Sequence, residues 1–199
     1  MKKYIYLIVS IFCCAVNAQT DLPKSATEIS PLLIGEKIPS IKVQSIDGKN
    51  INFEDLTKTK KTILAVYRGG WCPYCNLHLS ALGEVEEKLI EMGYQIIAIS
   101  PDSPESLRET ITKDKLSYTL LSDSKGDFIK ALGIGYSIPN GLKKQLKTVL
   151  HGVKNDFLPV PSLFIINEEN EIEFEYISPD YKTRISNKLL LAVGTALKK

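Results

Sequence analysis

Two cysteines separated by two residues are the side chains of this sequence best suited to redox chemistry. They are Cys72 and Cys75, within Trp71-Cys72-Pro73-Tyr74-Cys75. The motif falls where a buried strand is predicted to give way to a helix, a setting typical of a dithiol that cycles between reduced and disulfide states. Cys72 lies at the predicted helix N-terminus, where unpaired N–H groups and the helix dipole favour a thiolate. Cys72 is therefore the candidate nucleophile, and Cys75 is placed to attack back and release a mixed disulfide.

A structural zinc site and a pair of small buried side chains are the alternative interpretations of these cysteines. His78 and His151 are the only histidines, but the interval to His151 is long and no second paired motif exists, which argues against zinc. Haem attachment needs a histidine directly after the second cysteine, where this chain has Asn76. His78 shares an otherwise apolar helical face with Cys75, so we expect a buried neutral histidine rather than a catalytic base. No metal and no organic cofactor is predicted.

The first eighteen residues have the pattern of a secretory signal peptide. Lys2 and Lys3 precede an apolar run of about thirteen residues, which is followed by a small-residue site ending at Ala18. The run is shorter than the roughly 20 residues that a membrane-spanning helix needs. We therefore predict cleavage near Ala18 and export to the periplasm or the exterior, without stable membrane insertion. An uncleaved membrane anchor is the alternative.

Removal of this segment simplifies both the charge and the cysteine content. The 25 basic residues fall to 23 and match the 23 acidic ones, so the mature chain is close to neutral. No basic patch with interleaved aromatic residues is present, which argues against nucleic acid and against a polybasic membrane surface as partners. Cys13 and Cys14 leave with the signal, so any redox work falls to the two cysteines of the motif.

The remaining sequence alternates between strand and helix patterns. Strands are predicted over 41–46, 51–53, 62–67, 94–100, 118–121, 163–166 and 171–177. Helices are predicted over 73–91 and over 181–197. Between them, one helix begins at Ser103-Pro104, a short helix ends at Leu132, and a basic helix over 138–150 forms an insertion. The pattern predicts an α/β domain over 37–199, with a mixed central β-sheet and helices on both faces, preceded by an extended lead-in over 19–36.

Residues 66–76 resemble the peroxiredoxin-like branch of the alkyl hydroperoxide reductase/thiol-specific antioxidant (AhpC/TSA) family, within the thioredoxin superfamily. Residues 120–126, 160–166 and 178–184 agree with the same family. The resemblance implies a thioredoxin-like fold and an antioxidant activity. It also implies a peroxide or protein disulfide as substrate, and a thioredoxin-like protein or another thiol as electron donor.

The sequence departs from that family at the site itself. The family carries Thr-x-x-Cys with the peroxide-reacting cysteine second, so by its register Cys75 is the peroxide-reacting candidate and Cys72 replaces the threonine. Pro161 occupies the place of the family's late-strand arginine and instead resembles the cis-proline that thioredoxins set opposite C-x-x-C. The buried acid of thioredoxins is here Val66, and Arg68 is the candidate source of charge near the thiolate. The predicted substrate groove consists of Arg68, Trp71, Pro73, Tyr74 and Pro161.

These observations predict a thiol-dependent antioxidant oxidoreductase. Its dithiol reduces peroxides, disulfides or both, becomes an internal disulfide, and is restored by an external thiol donor. One alternative is a thioredoxin-like protein disulfide reductase without peroxidase activity. Another is a non-catalytic binding module that keeps the fold and contacts a partner through residues 134–160.

Overall fold

A mixed seven-stranded sheet forms the centre of the computed structural model, which describes residues 21–139, 141–143 and 156–198. The strand order is β2-β1-β5-β4-β3-β8-β9, and β6 pairs with β7 in a separate two-stranded sheet. The strands are β1 Lys42–Gln44, β2 Asn50–Asn52, β3 Lys61–Val66, β4 Tyr94–Ser100, β5 Thr119–Ser122, β6 Gly135–Ser137, β7 Phe157–Pro159, β8 Ser162–Ile166 and β9 Ile172–Ile177. β3, β4 and β5 are parallel to one another, β8 is antiparallel to β3, and β9 is antiparallel to β8.

Helices cover both faces of this sheet, as the sequence predicted. They are α1 Phe53–Thr57, α2 Pro73–Glu91, α3 Pro104–Asp114, α4 Asp127–Ala131 and α5 Asn187–Leu197. Side chains of α2, α3 and α5 share one apolar cluster, and side chains of α1 and α4 share another on the opposite face. The fold is α/β and thioredoxin-like, with the mixed sheet as its middle layer.

The central strand β3 shows why the sheet is buried on both sides. Its side chains alternate, so Ile63 and Ala65 pack with α2 while Leu64 and Val66 pack on the other face. β3 lies between β4 and β8, and its apolar residues are all almost fully buried. In a strand that is buried on both faces, nearly every residue is apolar, rather than every second one. This rigid strand fixes the point from which the chain enters the cysteine motif.

The ends of several elements differ from the sequence prediction. α2 and β4 begin and end close to the predicted residues, but the closing helix begins at Asn187 rather than at 181. Ser186 caps it, because its hydroxyl accepts a hydrogen bond from the Leu189 N–H at 3.3 Å. The helix α1 starts at Phe53, where a strand was expected to end, and the pairing of β6 with β7 was not foreseen.

Several predictions fall wholly or partly outside the described residues. These are the signal segment, most of the basic helix over 138–150, and His151. The described part of the lead-in lies against the domain, because Leu22, Ile29 and Leu32 pack on the cluster beneath α4. Among the described residues, no helix has the length and apolar character that crossing a membrane requires.

Candidate active site

The cysteine motif begins at the carboxyl end of β3 and is held by a short hydrogen-bonded loop. Cys72 is the N-cap residue of α2 and has extended backbone angles, and Pro73 occupies the first helical position. The Gly70 N–H donates to the Asp102 carboxylate at 2.8 Å, and the Asn76 side-chain amide donates to the Gly70 carbonyl at 2.9 Å. These bonds tie the loop to the segment that follows β4 and to α2. Cys72 is therefore fixed at a helix N-terminus, as the sequence predicted.

The two sulfurs differ sharply in acidity. Hydrogen bonds from the Cys75 thiol and the Cys75 backbone N–H lower the pKa of Cys72 to about 6, against the opposing effect of burial. The positive charges of Arg68 and Arg184 act in the same direction. The pKa of Cys75 is raised, first by its hydrogen bond to Cys72 and then by burial. Near neutral pH, Cys72 therefore carries the thiolate and Cys75 the proton, which suits nucleophile and resolving thiol in that order.

Each sulfur has an arginine beside it. A guanidinium nitrogen of Arg68 lies 4.0 Å from the Cys72 sulfur, and one of Arg184 lies 3.4 Å from the Cys75 sulfur. Arg68 thus lies beside the sulfur for which the sequence made it the candidate source of charge. Arg184 comes from the segment between β9 and α5 and was not foreseen as a site residue. Its signal was its place in the 178–184 stretch that carries the family resemblance.

An aromatic cluster encloses the cysteines on the Arg68 side. The Arg68 guanidinium lies between the rings of Trp71 and Tyr181, 4.8 and 4.5 Å from their centroids. Tyr74 meets Tyr181 edge to face, with ring centroids 5.8 Å apart. Cys72 and Cys75 are 1% and 0% exposed beneath this cluster. Trp71, Tyr74 and Arg68 are thus brought together with Tyr181, and their role in a substrate groove stays a prediction.

Tyr67 and Asp102 are two buried polar residues beside the loop. Burial, and secondarily the charge of Asp102, raise the pKa of Tyr67 well above its usual range. Burial also raises the pKa of Asp102, although hydrogen bonds from Gly70 and Ser100 oppose this. The Asp102 carboxylate orients the loop, and Tyr67 is expected to stay protonated.

Unsatisfied polar atoms concentrate around the dithiol. Among the described residues, eight buried side-chain nitrogen or oxygen atoms lack a hydrogen-bond partner, and six of them belong to this site. The six are on Tyr67, Arg68, Trp71, Asn76, His78 and Arg184. Buried polar groups are normally paired, and exceptions of this kind point to a ligand or to chemistry. Five of these six unpaired atoms can donate a hydrogen bond, and the exception is the side-chain oxygen of Asn76. The site is therefore suited to a group that is rich in hydrogen-bond acceptors.

The structure contradicts the expected cis peptide bond at Pro161 and agrees with the expected buried position of His78. The peptide bond before Pro161 is trans, so the expected cis-proline is absent at this position. Pro161 lies one residue before the Val66–Ser162 pair, beside the end of β3, and its place in a substrate groove stays a prediction. Burial and the nearby Arg184 lower the pKa of His78 to about 4, in keeping with the neutral buried histidine we expected. No group of three or more His, Cys, Asp or Glu side chains in the described ranges could hold a metal ion.

A paired-cysteine motif at the start of a helix, on a thioredoxin-like sheet, defines a thiol oxidoreductase. The chain belongs to the AhpC/TSA family, which matches residues 34–175. It is 24% identical to Peroxiredoxin Bcp of Escherichia coli over 163 residues, which are 82% of this chain and 96% of that protein. It is 23% identical to the thiol-disulfide oxidoreductase ResA of Bacillus thuringiensis over 194 residues, 95% of this chain and 97% of that protein.

Solved structures agree with the fold. The reduced Prx3 of Vibrio vulnificus in complex with H2O2 superposes with a TM-score of 0.70 and 16% identity, covering 82% of this chain and 99% of that one. The family relationship makes this chain an enzyme with a thiol-dependent antioxidant function.

Proposed function

We propose that this chain is an exported oxidoreductase whose Cys72–Cys75 dithiol reduces a peroxide or a disulfide, with Cys72 as the attacking sulfur. The observation that carries the proposal is the position of Cys72 as the N-cap residue of α2 with the Arg68 guanidinium 4.0 Å from its sulfur, an environment in which its pKa is lowered to about 6. Export rests on the signal pattern that ends at Ala18. An external thiol donor closes the cycle, and no cofactor is required.

The peroxide reaction needs two steps at these sulfurs. The Cys72 thiolate attacks one peroxide oxygen, the O–O bond breaks, and the leaving oxygen takes a proton to become an alcohol or water. Cys75 then attacks the resulting sulfenic acid, forming the Cys72–Cys75 disulfide and releasing water. With a disulfide substrate, Cys72 forms a mixed disulfide and Cys75 displaces the reduced product. The near-complete burial of both sulfurs favours small substrates over large folded proteins.

The contact between Arg184 and Cys75 favours a second candidate mechanism. A guanidinium 3.4 Å from the Cys75 sulfur would stabilise a thiolate there, and the family register makes Cys75 the peroxide-reacting position. In that mechanism Cys75 forms the sulfenic acid and Cys72 resolves it. The two mechanisms assign opposite roles to the same two residues, so single substitutions separate them.

The test follows a single turnover of hydrogen peroxide in the reduced wild type, Cys72→Ser and Cys75→Ser. We expect Cys72→Ser to lose the reaction and Cys75→Ser to react once and stop at a sulfenic acid that dimedone traps on Cys72. Peroxide reactivity kept in Cys72→Ser and lost in Cys75→Ser would establish the second mechanism. Insulin reduction without peroxide consumption would identify a disulfide reductase without peroxidase activity. Circular dichroism of each variant checks that the fold is kept.

A further inference from the structure

A groove beside the dithiol has a positive and apolar lining. It has a volume of ≈ 370 Å³ and runs between α2 and the segment that precedes α5. Lys182 and Arg184 contribute its positive charge, and Tyr74, Leu77 and Ile185 contribute apolar surface. None of the described residues that line it is an Asp or a Glu. The groove therefore matches a small organic molecule that carries a negative charge.

The groove meets the dithiol at Arg184, because this side chain lines the groove and also contacts the Cys75 sulfur. The Nε of Arg184 is buried and has no hydrogen-bond partner, and the same is true of the Nε of Arg68, a residue that is 6% exposed. In the part of the chain that the structure describes, neither guanidinium lies within ion-pair distance of a carboxylate. Arg68 is almost fully removed from water and so needs a compensating negative charge. Arg184 is half-buried, and its Nη1 donates to the Tyr181 and Thr183 carbonyls at 2.7 Å, which leaves its positive charge available at the groove.

The available negative charge depends on the redox state. In the reduced protein the Cys72 thiolate balances one of the two arginines. A Cys72–Cys75 disulfide carries no charge, so oxidation leaves both guanidinium groups without a counter-charge from the sulfurs. The positive potential at the mouth of the groove is therefore greatest in the oxidised protein, which is the state that reacts with the electron donor.

We propose that this groove binds an anionic, low-molecular-weight thiol, such as a carboxylate-bearing thiol, as the reductant of the oxidised enzyme. The proposal rests on the dithiol cycle of the proposed function and names the class of its donor. Lys182 and Arg184 receive the carboxylate, and the apolar surface of Leu77 and Ile185 receives the carbon chain.

The reduction follows from these positions in two exchange steps. The donor thiolate in the groove forms a bond to the Cys75 sulfur, which Arg184 contacts, and the Cys72–Cys75 bond breaks with its electron pair on Cys72, the sulfur of lower pKa. The Cys72 thiolate stays beside Arg68. A second donor thiolate attacks the donor sulfur of the mixed disulfide, which frees Cys75 to take a proton from water and gives the donor disulfide. Two donor thiols are oxidised as one protein disulfide is reduced.

The test compares three small thiols that differ in charge: mercaptoacetate, 2-mercaptoethanol and cysteamine. The oxidised full-length mature protein is mixed with each thiol at the same thiolate concentration, and dithiol formation is followed by mass spectrometry of alkylated samples. The measured quantity is the rate with mercaptoacetate divided by the rate with 2-mercaptoethanol. Division of each variant's ratio by the wild-type ratio cancels the intrinsic reactivities of the thiols.

We expect Arg184→Gln to lower this ratio about tenfold and Lys182→Gln several-fold, because each removes a charge from the groove. The ratio for cysteamine should rise in the same variants, and Arg184→Lys should restore most of the preference. Arg108→Gln is the matched control, since Arg108 is the remaining arginine and lies on α3 among exposed residues. Its ratio should stay at the wild-type value.

A ratio that is equal in wild type, Arg184→Gln and Lys182→Gln would overturn the proposal. Lys182 is exposed, so its variant decides the question even if the Arg184 variant does not fold. Failure of the proposed function looks different, because 2-mercaptoethanol would then find no internal disulfide to reduce in any variant.

Discussion

Replacement of Cys75 by alanine should remove most of the acidity of Cys72. The hydrogen bond from the Cys75 thiol is the largest cause of the lowered Cys72 pKa, ahead of the Cys75 backbone N–H and the two arginines. Cys75→Ala deletes that donor and keeps the backbone N–H. Cys75→Ser provides the matched control, because its hydroxyl can still donate. We expect the Cys72 pKa to rise from about 6 toward 9.0 in Cys75→Ala and to stay low in Cys75→Ser.

The size of the effect determines what should be measured. At pH 7 a pKa of about 6 gives a thiolate fraction of about 90%, whereas a pKa of 9.0 gives about 1%. A less basic thiolate is also a weaker nucleophile, and a Brønsted slope of about 0.4–0.5 over this range reduces its intrinsic reactivity about twentyfold. The two effects leave a net rate advantage of only about fourfold at pH 7. The midpoint of the pH profile is therefore far more informative than the rate at one pH.

The assay records thiolate absorbance in the ultraviolet across the pH range, together with iodoacetamide labelling of Cys72 followed by mass spectrometry. Labelling identifies the sulfur, and absorbance does not require the reagent to enter the buried site. Cys72→Ser should show no thiol that titrates near pH 6. A Cys75→Ala midpoint that stays near 6 would refute the reasoning, because the helix N-terminus and the arginines would then account for the acidity by themselves.

Three further predictions concern stability. The pKa of His78 is lowered from 6.5 to about 4 in the folded protein, so the unfolded chain binds the proton first as the pH falls. The free energy of unfolding therefore decreases below about pH 6.5. Urea unfolding at pH 4 and pH 6.5 should show about 3 kcal/mol less acid destabilisation in His78→Gln than in wild type. Gly133→Ala should destabilise the protein by several kcal/mol in thermal unfolding, because at a φ of +70° its Cβ would lie 1.9 Å from the Ser30 carbonyl oxygen. Gly48→Ala is the control: its φ is +77° but its Cβ would meet open space, so it should cost only about 1–2 kcal/mol. Phe164→Ala should cost about 3–5 kcal/mol in urea unfolding because Phe164 is fully buried between the sheet and the α1 and α4 side; a loss below 1 kcal/mol would contradict this packing.

Local signals were sufficient for the elements next to the motif. The bounds of α2 follow from Pro73 at its start and Gly93 after its end, and β4 follows from its continuous apolar run. The closing helix was wrong at its start because residues 181–186 have a pattern compatible with helix. In the structure this segment instead forms a turn held by Asp180, and Arg184 contacts Cys75, a residue 109 positions earlier in the chain. Such a contact leaves no periodic trace in the sequence.

The candidate site divides in the same way. The cysteines, their helix-terminal position and the approach of Arg68 could be predicted, because all lie within a few residues of one strand-to-helix junction. Tyr181 and Arg184 could not, because the sheet has to bring the end of β9 back beside α2 before they meet the motif. The cis-proline expectation was wrong because a short sequence context does not determine the peptide isomer, which depends on the packing around it.

The arrangement of the arginines does not by itself determine which sulfur carries the charge. If a single arginine contacted one cysteine, Coulomb attraction would select that cysteine as the thiolate. Here Arg68 stands beside Cys72 and Arg184 beside Cys75, the latter at the shorter distance, so the arginines by themselves do not favour Cys72. Selection instead comes from position, since Cys72 is the N-cap residue of α2, where unpaired N–H groups and the helix dipole favour a thiolate, whereas the hydrogen bond to Cys72 and burial raise the pKa of Cys75 within the first turn. Arg184 is thereby free to stabilise charge that appears on Cys75 only when the mixed disulfide opens. The Cys75→Ala titration and the thiol-charge series therefore probe separate parts of one site.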